Sequence, residues 1–407
     1  MECKARAQMI ASPALLGDSH NFGRRVTLRG DRVAKPRTVF WEWLVLSRES
    51  PLRRLLADEA KRDGLGRDFF GFLPSLRFYR WRERPHGEVE RAALKPLGRV
   101  SRGDRQELAR VVGASLAFWS WLGVADLHWE NLILGRDARG QLIFGPLDVE
   151  MMLADLSLPT ETKLLPDADP EYAQVCRHAA GVRRALPYLG KPIAAAQLLA
   201  MAAAYRQTLA FLERHSTAIA HTLAKMPELH TAPLRVLLRG TEEYVQARFE
   251  PVWPPLLEAE QEQLARGDIP YFFRLYGKRG IHYYADEKLE RLGRLPLKGD
   301  VPQLDPLLDV ARGLRSPTRQ KLRTAGLLTL LGAFDDASLD GRQHSDELTL
   351  TFGPRSLVVA FPDGEQLHSR RNLRAFVSSV YLACTCGEVR SVFVPAVTRC
   401  RAADSTV

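Results

Sequence analysis

The chain has 407 residues, is 45% hydrophobic and carries a formal charge of +10, which suits a globular protein with one large or two moderate cores and favours an anionic partner: a nucleotide, a phosphorylated group or an acidic peptide. Its five cysteines (Cys3, Cys176, Cys384, Cys386, Cys400) are too few and too scattered for a disulfide scaffold. No run of about 20 apolar residues occurs and none follows Met1-Glu2-Cys3-Lys4, so a cytoplasmic protein with no membrane partner is expected; nucleic acid lacks a supporting aromatic-basic or zinc-finger pattern.

The first elements read as a phosphate-handling lobe. Leu16-Gly17-Asp18-Ser19-His20-Asn21-Phe22-Gly23 precedes short strands at 25–28 and 33–37, with a turn at Arg29-Gly30-Asp31 between them. Glycines at 17 and 23 permit close backbone approach, and the strands present Lys35 as the clamp for nucleotide phosphates, although the loop matches no Walker motif. Arg37 offers a planar guanidinium for cofactor binding, with a plain surface role as the alternative in a chain of 58 Lys and Arg. For Asp18 and His20, a place facing a reacting phosphoryl group and a plain turn-forming role are both open. Phe69-Phe70-Gly71-Phe72-Leu73-Pro74 reads as core, and Lys95 is a second lysine candidate without a glycine-rich turn beside it.

The clearest helix covers 104–122, where Leu108, Val111, Val112, Ser115, Leu116, Trp119 and Leu122 follow a helical stripe; Trp119 and Trp121 are therefore scaffold. Gly123 releases the chain into Asp126-Leu127-His128-Trp129-Glu130-Asn131. Asp126 and Asn131 have the spacing at which a kinase catalytic loop sets its base and its magnesium-binding amide. Strands at 132–134 and 141–144, joined by a turn, bring Asp148 back toward Asn131, and an amide oxygen with a carboxylate oxygen suits Mg²⁺. If 148–150 is extended, Glu150 shares a side with Asp148 and either holds a second metal or orients Asp148. The cluster as a whole has the layout of a phosphotransferase site, with a solvated hairpin of coincidental spacing as the alternative.

Prolines at 159, 166 and 170 break the next stretch into an expected long surface loop containing Thr160, Glu161, Thr162 and Lys163. Helical composition returns at 179–186 and 193–219. In Pro233-Leu234-Arg235-Val236-Leu237-Leu238-Arg239-Gly240-Thr241, the two arginines fit one helix face or an alternating strand, forming either a basic patch near phosphate or a solvated face. Strand-like runs at 348–352 and 357–361, then an ambiguous 373–382, either recognise a peptide or complete the fold. A boundary is expected within 330–343. Cys384 and Cys386, with Cys400 near in sequence, are read as ordinary thiols rather than a zinc half-site.

Taken in order, GDSHNFG (17–23), AKPR (34–37), DLHWEN (126–131), LDVE (147–150), PLRVLLRGTEEY (233–244) and GDIPYF (267–272) resemble the dehydratase domain of class II, LanM-like lanthipeptide synthetases across about 15–285. The resemblance implies an α+β, two-lobed lipid-kinase or protein-kinase-like fold with a mainly helical second lobe, divided as 1–98, 99–329 and an accessory 330–407. It implies an ATP-dependent enzyme that phosphorylates Ser or Thr of a precursor peptide and eliminates the phosphate to give dehydroamino acids. Lys35 is then the nucleotide-binding lysine, Asp126 the kinase aspartate with His128 its associated residue, and Asn131 and Asp148 the metal pair. Asp18, His20, Arg235 and Thr241 fall in motifs associated with elimination. The chain lacks the Cys-His-Gly zinc pattern of a cyclase, so a separate cyclase or leader-binding protein is a further expected partner. A standalone kinase without elimination and a non-catalytic peptide-binding module are the alternatives.

Overall fold

The computed structural model describes residues 14–82, 86–153, 159–166, 180–252, 255–276, 278, 280–295, 322–334, 338–370 and 398–401. Cys3, Cys176, Cys384, Cys386 and the 373–382 run lie outside them. The described residues form a mixed α+β fold with four antiparallel sheets.

The first sheet joins β1 (Ala14–His20), β2 (Arg24–Arg29), β3 (Arg32–Lys35) and β4 (Gly87–Glu90) in that order. Lys35 closes β3, and Pro36, which cannot donate to a ladder, ends the strand there. The chain then enters α1 (Phe40–Leu46), every residue of which is buried, including Glu42. Ser50 caps α2 (Pro51–Arg62), accepting from the Arg53 amide at 3.1 Å, with Pro51 at the first helical position.

The expected central helix is α3 (Arg102–Trp121), opened by a Ser101–Asp104 capping box and followed by Gly123 at φ +61°. Trp119 and Trp121 are buried in the core, as expected of scaffold. Helix α3 lies along α5 (Ala195–Arg214), which follows the short α4 (Leu186–Leu189) and precedes α6 (Ser216–Ala224). Their axes approach closely because Gly113 has no side chain; a Cβ there would stand 2.0 Å from the Met201 carbonyl oxygen.

The hairpin expected after the catalytic loop forms as β5 (Leu132–Arg136) and β6 (Leu142–Pro146). Its far end is tied down by Arg136, which donates to Asp104 at 2.7 Å and to Glu107 at 3.0 Å. Lys95, the second lysine candidate, pairs with Arg136 at that same end and is exposed, at the opposite end of the hairpin from Asn131.

Part of the expected surface loop is interior: Thr162, Leu164 and Leu165 are buried, and the Thr162 carbonyl accepts from the Leu127 amide at 2.9 Å. The two leucines supply the reason, since they bury apolar surface in the main core.

Beyond α6, β7 (Leu234–Val236) begins a sheet ordered β10 (Leu292–Arg294), β9 (His282–Tyr284), β8 (Phe272–Arg274), β7. Helices α7 (Thr241–Gln246) and α8 (Glu258–Ala265) lie between β7 and β8 in sequence. Arg235 is thus on a strand, and Arg239 follows outside it. After α9 (Leu327–Ala333) comes the sheet of β11 (Gly341–His344), β12 (Thr349–Phe352), β13 (Ser356–Ala360), β14 (Glu365–Arg370) and β15 (Thr398–Arg401). Leu350, Val359 and Leu367 of that sheet belong to the same apolar cluster as Leu44, Leu116 and Leu209, so its packing is continuous with the rest. No helix among the described residues is long and apolar enough to cross a membrane.

Candidate active site

Lys35, Arg37, Glu42, Asp148, Glu150 and Arg235 form one charged network. Lys35 Nζ lies 3.0 Å from Glu42 Oε1 and 3.4 Å from Asp148 Oδ2, and donates to the Leu147 carbonyl at 3.2 Å. Arg37 donates to Glu42 at 2.5 Å, to Asp148 Oδ1, and approaches Glu150 Oε2 through Nε at 2.9 Å. Arg235 Nη1 takes the other Glu150 oxygen, while the Arg235 amide donates to the Glu150 carbonyl at 2.9 Å, joining β7 to the segment after β6.

Charge pairing outweighs burial at Asp148, Glu150, Arg37 and Arg235. Burial alone would raise the Asp148 pKa, but Arg37, Lys35 and Arg235 hold it well below the usual carboxylate range. Burial likewise opposes ionisation of Glu150, and Arg235 and Arg37 overcome it. Burial disfavours the Arg37 cation, yet Asp148, Glu42 and Glu150 push its pKa up, so the guanidinium remains charged.

The loop of residues 126–131 borders this network. Asp126 adopts φ +62°, a left-handed conformation unusual for a residue with a side chain, and its carbonyl accepts from Asn131 Nδ2 at 2.9 Å. With its nitrogen committed, the Asn131 amide keeps Oδ1 for a cation. The Leu147 amide donates to the Asn131 carbonyl at 3.0 Å, carrying the β5–β6 pairing one step further and setting Asn131 beside the start of Asp148's segment. The Ala125 amide donates to Met151 at 3.0 Å, so Asp126 and Glu150 lie on adjoining stretches. Lys163 Nζ is 3.5 Å from Asp126 Oδ1. His128 precedes the 3₁₀ turn Trp129–Asn131 and bridges to Ala180; no hydrogen bond or ion pair ties its ring to Asp126, Asp148 or Glu150 among the described residues.

The oxygen donors of Asn131 and Asp148 fit Mg²⁺. Asp148 has the most open side chain of the network's acids, 34% exposed, although Arg37 and Lys35 each cover one of its oxygens. Glu150, expected to hold a second metal or to orient Asp148, turns both of its oxygens to guanidinium groups and links Arg37 to Arg235.

A second group adjoins Arg235. Asn21, Phe22 and Gly23 all have positive φ, and the buried Asp268 carboxylate holds this turn by accepting from Ser19 Oγ at 2.6 Å, the Phe22 amide at 2.7 Å and the Gly23 amide at 2.9 Å. His20 Nδ1 lies 2.7 Å from the Ile269 carbonyl, so Nδ1 carries the proton and the neutral ring keeps its lone pair on Nε2. Burial, then Arg235, lowers the His20 pKa. Asp18 is exposed and acts on His20 through its charge.

The two arginines of 233–244 part company. Arg239 is buried with Glu260 at 3.1 Å, and Tyr244 donates to the same carboxylate at 2.8 Å, a pairing inside the fold rather than a phosphate patch. Thr241 opens α7 with an exposed side chain, and no hydrogen bond or ion pair joins it to the Arg235–Glu150 group among the described residues.

Glu42, Lys163, Asp268 and Tyr271 belong to these groups and were given no role from the sequence. Glu42 had a signal: it is the one acid inside Phe40-Trp41-Glu42-Trp43-Leu44-Val45-Leu46, and a buried charge needs a partner.

No family model matches this chain, and no curated protein matches it.

Proposed function

We propose that the protein is an ATP-dependent peptide dehydratase, phosphorylating Ser or Thr of a precursor peptide and then eliminating the phosphate. The observation that carries the reading is the strand-borne Lys35 paired with helix-borne Glu42 and with Asp148, next to a loop holding Asp126 and Asn131. A lysine on a third strand paired to a helix glutamate, a loop aspartate and a downstream metal-binding aspartate are the parts of a protein-kinase site. We infer a kinase-like two-lobed arrangement on that basis, in the cytoplasm, where ATP is at hand.

In phosphorylation, Lys35 stabilises phosphate oxygens and Asp126 receives the proton of the substrate hydroxyl as its oxygen attacks the γ-phosphorus and ADP departs. Mg²⁺ held by Asn131 and Asp148 supplies charge neutralisation to the phosphates when bound. In elimination, a base takes the Cα proton, the C–H electron pair becomes the Cα=Cβ bond, and the Cβ–O bond breaks with its electrons leaving on phosphate. His20, neutral with Nε2 unprotonated, suits the base, and Arg235 suits the departing phosphate.

A kinase without elimination is the second reading, favoured by the exposed position of Thr241 apart from Arg235 and His20. The test combines the protein, Mg²⁺, ATP and the Ser- and Thr-containing peptides encoded beside it, and follows product mass. Net loss of water supports the dehydratase; stable addition of phosphate supports the kinase; neither sinks both. Asp148→Ala is expected to abolish both products and Arg235→Ala to accumulate phosphopeptide.

A further inference from the structure

Tyr271 lies where the two halves of the elimination group meet. Immediately before it, the Ile269 amide donates to the Ser19 carbonyl at 2.8 Å and the Ile269 carbonyl receives His20 Nδ1. Immediately after it, Phe272 and Phe273 stand opposite Val236 and Arg235 in the β7–β8 ladder. The Tyr271 amide donates to the buried Gln263 side chain at 2.9 Å, so this short run is fixed at both ends and in the middle.

The side chain stands beside both catalytic candidates. Its ring meets the His20 ring edge-on, with centroids 5.9 Å apart, and the Arg235 Cζ sits 5.4 Å from its centre. Tyr271 is only 3% exposed, so its ring is packed on all sides. Burial, then the Glu150 charge, raises the phenol pKa well above its ordinary value, so the hydroxyl keeps its proton and does not serve as the base.

We propose that Tyr271 is a positioning residue for elimination: its ring, packed beside His20 and Arg235, sets the separation of imidazole and guanidinium around Glu150. The inference rests on the dehydratase reading. A flat, stiff ring restricts both partners at once, and the guanidinium attracts the ring face, so Arg235 stays directed at Glu150 rather than sweeping the site. The ring's two charged or titratable neighbours at contact distance, His20 and Arg235, are both assigned to elimination on that reading.

The experiment uses the full chain with the neighbouring peptides in two forms: unmodified with Mg²⁺ and ATP, and chemically phosphorylated without ATP. Tyr271→Phe keeps the ring and is expected to eliminate near the wild-type rate. Tyr271→Leu is expected to slow elimination about a hundredfold, the cost of a misplaced catalytic pair, while phosphorylation persists and phosphopeptide accumulates. The acid limb of its elimination profile is also expected to shift upward as His20 gains solvent. Normal elimination by the leucine variant, or equal loss of both steps in a variant whose fold is intact, overturns the proposal. So does a deficient Tyr271→Phe, since the hydroxyl would then be the acting group; this keeps the proposal open to refutation even if Tyr271→Leu fails to fold. A wild-type protein that phosphorylates without eliminating removes the dehydratase reading and this inference with it, whereas wild-type dehydration with an unaffected leucine variant removes Tyr271 alone.

Discussion

Lys35 and Glu42 stand seven residues apart in the chain and 3.0 Å apart in space, joining the end of β3 to the middle of a wholly buried α1. Glu42→Gln is expected to lower phosphorylation at least about tenfold by freeing Lys35 from its place beside Asp148. Because two cations lose a buried partner, it is also expected to destabilise the fold by about 3–5 kcal/mol. Initial rates of phosphate transfer and denaturant unfolding check the two parts; an unchanged rate removes Glu42 from the site.

Arg37 covers the same Asp148 carboxylate that the proposed metal needs. Arg37→Gln leaves Glu42, Asp148 and Glu150 with less compensation, so its unfolding temperature without metal should fall. Added Mg²⁺ should then raise that temperature more than it does in wild type, because binding to the folded state alone stabilises it. Parallel melts with and without Mg²⁺ decide it, and an identical metal response in both proteins contradicts the competition.

The lowered His20 pKa fixes the direction of a pH effect. The unfolded imidazole takes its proton near its ordinary value of 6.5 and the folded one at lower pH, so stability from this group is present above 6.5 and declines as pH falls below it. The unprotonated base likewise persists below 6.5, which puts the acid limb of elimination under that value. Burial is the larger cause and Arg235 the next, so Arg235→Gln should move the residual limb upward without abolishing the burial effect. Rates on a phosphorylated peptide across pH measure this; a limb above 6.5 in wild type rules out His20 as the base.

Gly113 tests the scaffold independently of chemistry. Gly113→Ala sets a methyl against the Met201 carbonyl, a backbone atom that no rotamer change can move aside. The expected loss is about 1–3 kcal/mol in urea unfolding. Full stability would mean that α3 and α5 separate at little cost.

Local spacing made the phosphotransfer side readable: a glycine-bounded turn, Lys35 at a strand end, and a hairpin returning Asp148 to Asn131 all follow from near-neighbour rules. The pairing between distant segments was not readable that way. Asp268 holds a turn about 250 residues earlier in the chain, with a separation of 249 from Ser19, and Arg235 meets Glu150 across 85 positions. Both contacts depend on how sheets are set against one another, which local periodicity does not encode. Glu150 and Arg239 show the same limit: carboxylate and guanidinium chemistry suggested metal and phosphate, while burial gave each an internal counter-ion. The 159–166 stretch was misjudged because its prolines outweighed Leu164 and Leu165, whose burial carries the segment inward.

The acids and bases of the charged network are equal in number: Glu42, Asp148 and Glu150 face Lys35, Arg37 and Arg235. At close range they cancel. On the proposed reading, nucleotide encounter then draws on the diffuse field of a chain with formal charge +10, which reaches farther and fades with ionic strength. Raising salt should accordingly slow nucleotide arrival while leaving turnover of the loaded protein nearly constant.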